Sequence, residues 1–206
     1  MCPDFDFFDF AVSRIFNNCI ILEGLFMKTK LILGAAGHAN PDAVTLDIDP
    51  RHNPDVVWNL NKTPWPFENN QFKEIICHHV IEHLEELNPA MDELYRICSM
   101  DGEIYIEVPY RSSWLAFDPQ HKLIFGYFSL DGYINGGSTK WMNTERKFKL
   151  LERKITFHKA YRRYFLHKIF NKIPLAYERF WAYIMPAEHL IFRLQPIKIK
   201  DNQKNR

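Results

Sequence analysis

His79, Glu82 and His83 stand in an H-x-x-E-H spacing. On a helix that pattern can bind zinc with the glutamate as general base, as in one class of peptidases. Here it falls where a strand gives way to a helix, and no downstream partner stands out, which argues against a peptidase. The plain alternative is that Glu82 and His83 cap that helix and orient its loop. A second set of chemically suited residues lies at strand ends. Gly34-Ala35-Ala36-Gly37 follows the first strand, and its small side chains let a backbone approach a ligand closely. Asp47 closes the second strand, where a carboxylate can accept two hydroxyls of a ribose. His78 closes the fourth. Cys77, beside it, reads as a small buried residue rather than a nucleophile.

The elements that must position these groups follow from punctuation and period. Leu31-Ile32-Leu33, Ala43 to Ile48, Asp55 to Trp58 and Phe72 to Cys77 are short apolar runs bounded by polar residues. Such runs suit a parallel sheet covered on both faces. Asn88-Pro89 predicts an N-cap followed by proline at the first helical position. Met91, Leu94, Tyr95 and Cys98 then form one apolar stripe, and Asp101-Gly102 is expected to end the helix. Ile104, Ile106 and Val108 alternate with Glu103, Tyr105 and Glu107 in a fifth strand. Residues 111–145 read as a long loop with short helical pieces, a length that is usually functional. Phe148 to Phe157 and Leu190 to Ile199 read as strands. Lys159 to Lys172 and Leu175 to Ile184 read as helices, the first basic and aromatic. Only nine residues separate Leu33 from Ala43, fewer than the dozen or so a parallel crossover normally takes, so the first crossover helix must be shortened.

The 206 residues suit one ordinary domain, and 47% hydrophobic with 25% charged residues excludes disordered and fibrous classes. Charge is unevenly spread: residues 1–110 hold 7 Lys+Arg against 18 Asp+Glu, and residues 111–206 hold 19 against 7. The basic half either attracts the acidic half or meets an anionic substrate, membrane surface or nucleic acid. Four cysteines without a C-x-x-C pair point to a reducing compartment. The first ten residues are acidic and aromatic rather than basic, unlike a secretory signal. Phe8, Val12, Ile15, Phe16 and Cys19 share a helical face. Residues 1–26 therefore read as a packing helix or as an extension, with Met1 or Met27 as the true start.

The order of these features carries more than any one of them. Leu31-Ile32-Leu33-Gly34-Ala35-Ala36-Gly37 and Val44-Thr45-Leu46-Asp47-Ile48-Asp49 come first, then Pro64 to Phe72 and His79-Val80-Ile81-Glu82-His83-Leu84. Leu94-Tyr95-Arg96-Ile97 and Asp101 to Pro109 complete the series. Residues 28–110 resemble a class I S-adenosylmethionine-dependent methyltransferase of the small-molecule "type 11" kind. Asp118-Pro119-Gln120-His121 and the last two strands resemble that family's later part. The resemblance implies an α/β, Rossmann-like, mostly parallel sheet with helices on both faces and a C-terminal antiparallel strand pair. It implies S-adenosylmethionine as cofactor. Gly34, Ala35, Ala36 and Gly37 would lie under its methionine part, Asp47 would hold the ribose, Asn59 and Leu60 would flank the adenine, and His78 would sit beside the sulfonium. The usual G-x-G-x-G is reduced to two glycines, and Asn59 stands where a carboxylate is common.

Residues 27–110 would thus form the cofactor-binding core. Residues 111–199 would supply the substrate-side loop, basic helices and closing strands of the same domain, and residues 200–206 a frayed tail. His121 has the side chain for a base near neutral pH, with Asp118 or Tyr110 as positioning groups. Trp114, Phe117, Phe125, Tyr127 and Phe128 wall an acceptor pocket or pack as a lid. Some metal-dependent O-methyltransferases carry E-x-x-E-H at this turn and a later histidine, a set that His79, Glu82, His83 and His121 would mimic. The expected protein is a cytoplasmic methyltransferase acting on a small, sugar-linked or lipid-linked acceptor, with peripheral membrane attachment as a variant. Its alternatives are a nucleic-acid-modifying methyltransferase and a non-catalytic member of the fold.

Overall fold

The computed structural model describes residues 28–37, 40–137, 147–162 and 164–198. The expected N-terminal helix over residues 1–26 and the tail from Lys200 lie outside the described residues. Seven strands form one sheet: β1 (Lys30–Leu33), β2 (Val44–Asp47), β3 (Val56–Val57), β4 (Phe72–His78), β5 (Cys98–Pro109), β6 (Phe148–Ile155) and β7 (His189–Pro196). Their order is β3-β2-β1-β4-β5-β7-β6, with β7 antiparallel to both its neighbours and the rest parallel. This is the mostly parallel α/β sheet that the apolar runs predict, with the closing antiparallel pair that the family resemblance implies.

Register explains the core. Val44, Leu31, Ile75, Ile104, Leu194 and Leu150 stand opposite one another in turn across six strands. Helix α1 (Leu87–Ile97) adds Met91, Leu94 and Ile97 to the same buried cluster. The opposite row, one residue along each strand and two along β6 where its register shifts, reads Thr45, Ile32, Ile76, Tyr105, Arg193 and Glu152. That face is laced by ion pairs, Lys30 with Glu74 at 3.1 Å and Arg193 with both Glu103 and Glu152. The two faces therefore differ, because β5 and β7 alternate polar and apolar side chains with the period of two that a strand imposes.

Several boundaries depart from the sequence reading. Helix α1 begins at Leu87 after an extended Glu86 that makes no side-chain cap; Asn88 instead accepts a hydrogen bond from the Tyr133 hydroxyl. Asp101-Gly102 does not end the helix. The chain turns extended at Cys98, and Gly102 lies inside β5 where the β4–β5 register shifts. A Cβ on Gly102 would stand 2.8 Å from both Cys98 Sγ and Ser99 Oγ, so this bulge has room for hydrogen alone. The expected helix over Lys159 to Lys172 is broken into α2 (Lys159–Arg162) and α3 (Leu166–Lys172), with Phe165 between them at a left-handed φ of 57°. After α3, α4 (Pro174–Ala176) runs into a π-helical turn over Tyr177–Trp181. The long-range anchors decide this path: the rings of Phe157, Phe170 and Tyr177 pack on one another with centroids 4.8 to 5.7 Å apart. Among the described residues, the crossover from β1 to β2 consists of turns and holds no helix.

Candidate functional site

The site is built at the carboxyl ends of β1, β2 and β4, where open parallel sheets bind ligands. Gly34 leaves β1 at φ +64°, and its N–H donates to the Leu46 carbonyl at 2.8 Å. That bond ties the turn to β2. A Cβ on Gly34 would lie 2.5 Å from Val80 Cγ2, so the chain after β4 packs directly on the bare backbone. Ala36 follows at φ 47° and donates its N–H to Asp47 Oδ2 at 2.9 Å. Asp47 Oδ1 accepts from the Asp49 N–H at 2.9 Å, and His52 Nδ1 lies 3.2 Å from Oδ2. Burial works against the Asp47 charge, but the Asp49 and Ala36 amides and His52 outweigh it and hold the carboxyl below its ordinary value.

These groups face a cleft of about 510 Å³ lined by Gly34, Ala36, Asp47, Asn59, Leu60 and His79 among others. Its volume lies within the range of about 300 to 1,000 Å³ typical of small-molecule sites. The left-handed turn and the aspartate meet at one rim with a hollow beside them, as the sequence order requires. Trp58, Ile48 and Asn61 also line it, at positions the sequence analysis did not single out. Their signal was their place beside strand ends, not their residue type.

The other expected residues divide. Ala35 is buried behind the turn, and Gly37 sits at φ +82° with open space around it. Neither it nor His78 is among the cleft-lining residues. His78 is exposed, with Nε2 3.7 Å from Glu107 Oε2. Its neighbour His79 lines the cleft because a φ of 54° turns the chain there, and its N–H donates to the Glu107 carbonyl at 2.9 Å. His83 and Gln120 also line the cleft. His121 packs its ring on His83 with centroids 4.6 Å apart, and its buried Nδ1 has no partner among the described residues. Asp118 accepts from the Gln120 N–H at 2.9 Å and holds this loop in shape. Tyr110 is fully buried against Tyr177, so its phenol does not face the cleft; burial and the nearby Glu178 carboxylate push its pKa up. Trp114 and Phe117 are exposed, whereas Phe125 is buried in the core.

The residues present fit a nucleoside-bearing cofactor. Gly34 lines the cleft with its Cβ side taken up by Val80, and Asp47 Oδ1 carries one amide bond and retains capacity for a hydroxyl. The second oxygen, Oδ2, likewise carries one amide bond, from Ala36, with the His52 ring beside it.

Comparison with known proteins agrees. Residues 39–106 match the family model described as a methyltransferase domain. No curated protein matches the sequence. Among solved structures, an S-adenosylmethionine-dependent methyltransferase from Archaeoglobus fulgidus superposes with a TM-score of 0.50 at 12% identity, over 90% of this chain and 93% of that one. The [4+2]-cyclase SpnF superposes with a TM-score of 0.50 at 11% identity, over 91% of this chain and 83% of that one. At such identities the superpositions speak for the fold alone. Over residues 39–106 the chain thus resembles a methyltransferase domain, carried on a Rossmann-like sheet of this order.

Proposed function

We propose that this methyltransferase uses the β1–β2–β4 cleft for S-adenosylmethionine and methylates a lipid-linked acceptor, with a sugar-linked or free small molecule as the broader class. The observation that carries the reading is the junction of Gly34, Ala36 and Asp47 at one rim. Gly34 and Ala36 bear on the methionine end, Asp47 on the ribose, and Asn59 with Leu60 on the adenine. When bound, the cofactor would supply an electrophilic methyl group carried on a sulfonium. The chain's share is alignment and proton removal. His121 takes the acceptor's proton, with His83 packed against it and Asp118 holding the loop.

A surface on the C-terminal helices supports a lipid-linked acceptor. Tyr164, Phe165, Phe180, Tyr183 and Ile184 are all exposed, in a stretch that also presents Lys168, Lys172 and Arg179. Its one acid, Glu178, is turned inward onto Arg111 at 2.5 Å. Aromatic side chains among cations match the chemistry of an anionic bilayer surface. Two copies of so basic a patch would repel each other. Among the described residues no helix is long and apolar enough to cross a membrane. We place the protein in the cytoplasm, where the free, buried Cys77 and Cys98 would stay reduced.

The first test is a melting curve with S-adenosylmethionine and with its demethylated product. Saturation at about 100 times Kd adds roughly 2.7 kcal/mol, and Asp47→Asn should abolish most of that shift. No shift with either compound would favour a non-catalytic member of the fold. Turnover that survives His121→Ala intact would remove the base. Flotation with vesicles of phosphatidylcholine alone or with added phosphatidylglycerol tests the acceptor class, and binding to neither refutes the lipid surface. Nucleic-acid binding that falls by about 0.7 to 0.9 log units per phosphate contact for each tenfold rise in salt would favour the nucleic-acid reading.

A further inference from the structure

The end of β4 places two consecutive histidines on one side of the chain. Neighbouring residues of a strand point to opposite faces. His79 escapes that rule because its φ is 54°, a conformation rare for a residue of its size, and the two imidazoles stand edge to face with centroids 4.6 Å apart. Glu107 lies opposite His78 in the β4–β5 register, with Oε2 3.7 Å from His78 Nε2. His189, at the start of β7, brings Nδ1 to 3.7 Å from Glu107 Oε1, and its ring lies 5.0 Å from that of His79.

We propose that His78, His79, His189 and Glu107 hold a divalent transition metal of the zinc or cobalt class. Both histidine–glutamate separations, 3.7 Å, are too long for a hydrogen bond. They are close to the distance of about 3.4 Å between neighbouring ligands of a tetrahedral ion with bonds near 2.1 Å. One ligating atom from each of His78, His79 and Glu107 falls within 4.8 Å of the others, so small side-chain rotations would bring these three onto one ion, and a larger turn of the His189 ring, whose Nδ1 lies 3.7 Å from Glu107 Oε1, would add the fourth. Three nitrogens and one carboxylate favour zinc, cobalt or nickel over magnesium or calcium.

The surroundings hold these ligands in orientation. Glu82, 1% exposed, places Oε1 3.0 Å from His79 Nδ1 and so fixes the tautomer that leaves Nε2 free to ligate. The Tyr105 hydroxyl donates to Glu107 Oε2. His78 is exposed, which leaves an entry path from solvent. His79 also lines the cleft, so a metal here would stand at the edge of the cofactor site, where it could bind an acceptor oxygen and lower its pKa. That last role rests on the proposed function; the binding site itself does not.

The test uses the full chain after chelation. Cobalt titration should give the intense visible bands of a tetrahedral Co²⁺ centre at one equivalent per chain, and zinc should displace it. His189→Ala and Glu107→Gln should each weaken binding at least tenfold, and Glu82→Gln by about 10- to 100-fold. His121→Ala should leave the metal affinity unchanged, because His121 belongs with Glu82 and His83 in a separate group of potential ligands. Melting curves of the metal-free variants check that each is folded. Absence of a tetrahedral cobalt spectrum, insensitivity to His189→Ala and Glu107→Gln in folded protein, or loss of binding in His121→Ala would each overturn the proposal. Cofactor-induced melting shifts on the same preparations separate the two readings. A shift without metal binding sinks only the metal site, and metal binding without a shift sinks only the proposed cofactor cleft.

Discussion

Replacing Gly34 with alanine puts a methyl group where the structure leaves none. Two penalties follow. The backbone stands at φ +64°, a left-handed conformation that costs an L side chain about 1 to 2 kcal/mol. The new Cβ would lie 2.5 Å from Val80 Cγ2, and overpacking of this kind costs typically about 1 to 3 kcal/mol. Together the loss is about 2 to 5 kcal/mol, a fall of roughly 5 to 20 °C in Tm for a domain of this size. Val80 lines the cleft, so relief of the clash must move a cleft wall, and S-adenosylmethionine should bind more weakly as well. A cycle with Val80→Ala separates the two penalties. Removing Cγ2 should recover the steric part as a coupling of about 1 to 3 kcal/mol, while the left-handed part persists. Denaturant unfolding and titration calorimetry on the four proteins give both readouts. A Gly34→Ala protein with unchanged Tm and unchanged cofactor affinity would refute the argument that bare backbone at this turn builds the site.

The acid limb of stability gives a second expectation. Asp47 titrates below its ordinary value of 3.8 when folded, so its contribution is complete above that pH and is lost as pH falls through the lower, folded value. Stability of the wild type should therefore drop more steeply below pH 3.8 than that of Asp47→Asn, and parallel curves from chemical denaturation would contradict this. A third concerns the loop after β5. Arg153 and Asp131 are both buried and pair at 2.5 Å, with the guanidinium 4.7 Å from the Tyr127 ring centroid. Arg153→Met would remove the cation that pairs with a buried carboxylate and should cost about 3 to 5 kcal/mol in urea unfolding, and a loss below about 1 kcal/mol would show the pair to be dispensable.

Much of this architecture is local and therefore legible. Apolar runs of four to eight residues announce strands whatever surrounds them, and the glycines and acids after them mark where each strand must stop. That is why Gly34 and Asp47 could be assigned to one rim before any coordinates. Element boundaries were less legible where side chains answer to distant partners. Asn88 reads as a cap in isolation but is taken by Tyr133, forty-five residues on. Gly102 reads as a helix stop but serves a bulge, because Cys98, Ser99 and the Lys73 carbonyl crowd its α-carbon. Tyr110 has the residue type and position of a site group, yet Tyr177 covers it from a segment sixty-seven residues away.

The sequence by itself determined the strand succession, the class of the sheet and the meeting of a small-residue turn with a carboxylate, since period and punctuation act within a few residues. Tertiary structure alone decided which of two adjacent histidines enters the cleft, through a left-handed φ at His79 and its backbone bond to Glu107. It alone brought His189 beside them, because antiparallel pairing of β7 with β5 joins residues some eighty positions apart. No local pattern encodes such a contact; it exists only when the register of distant strands is set.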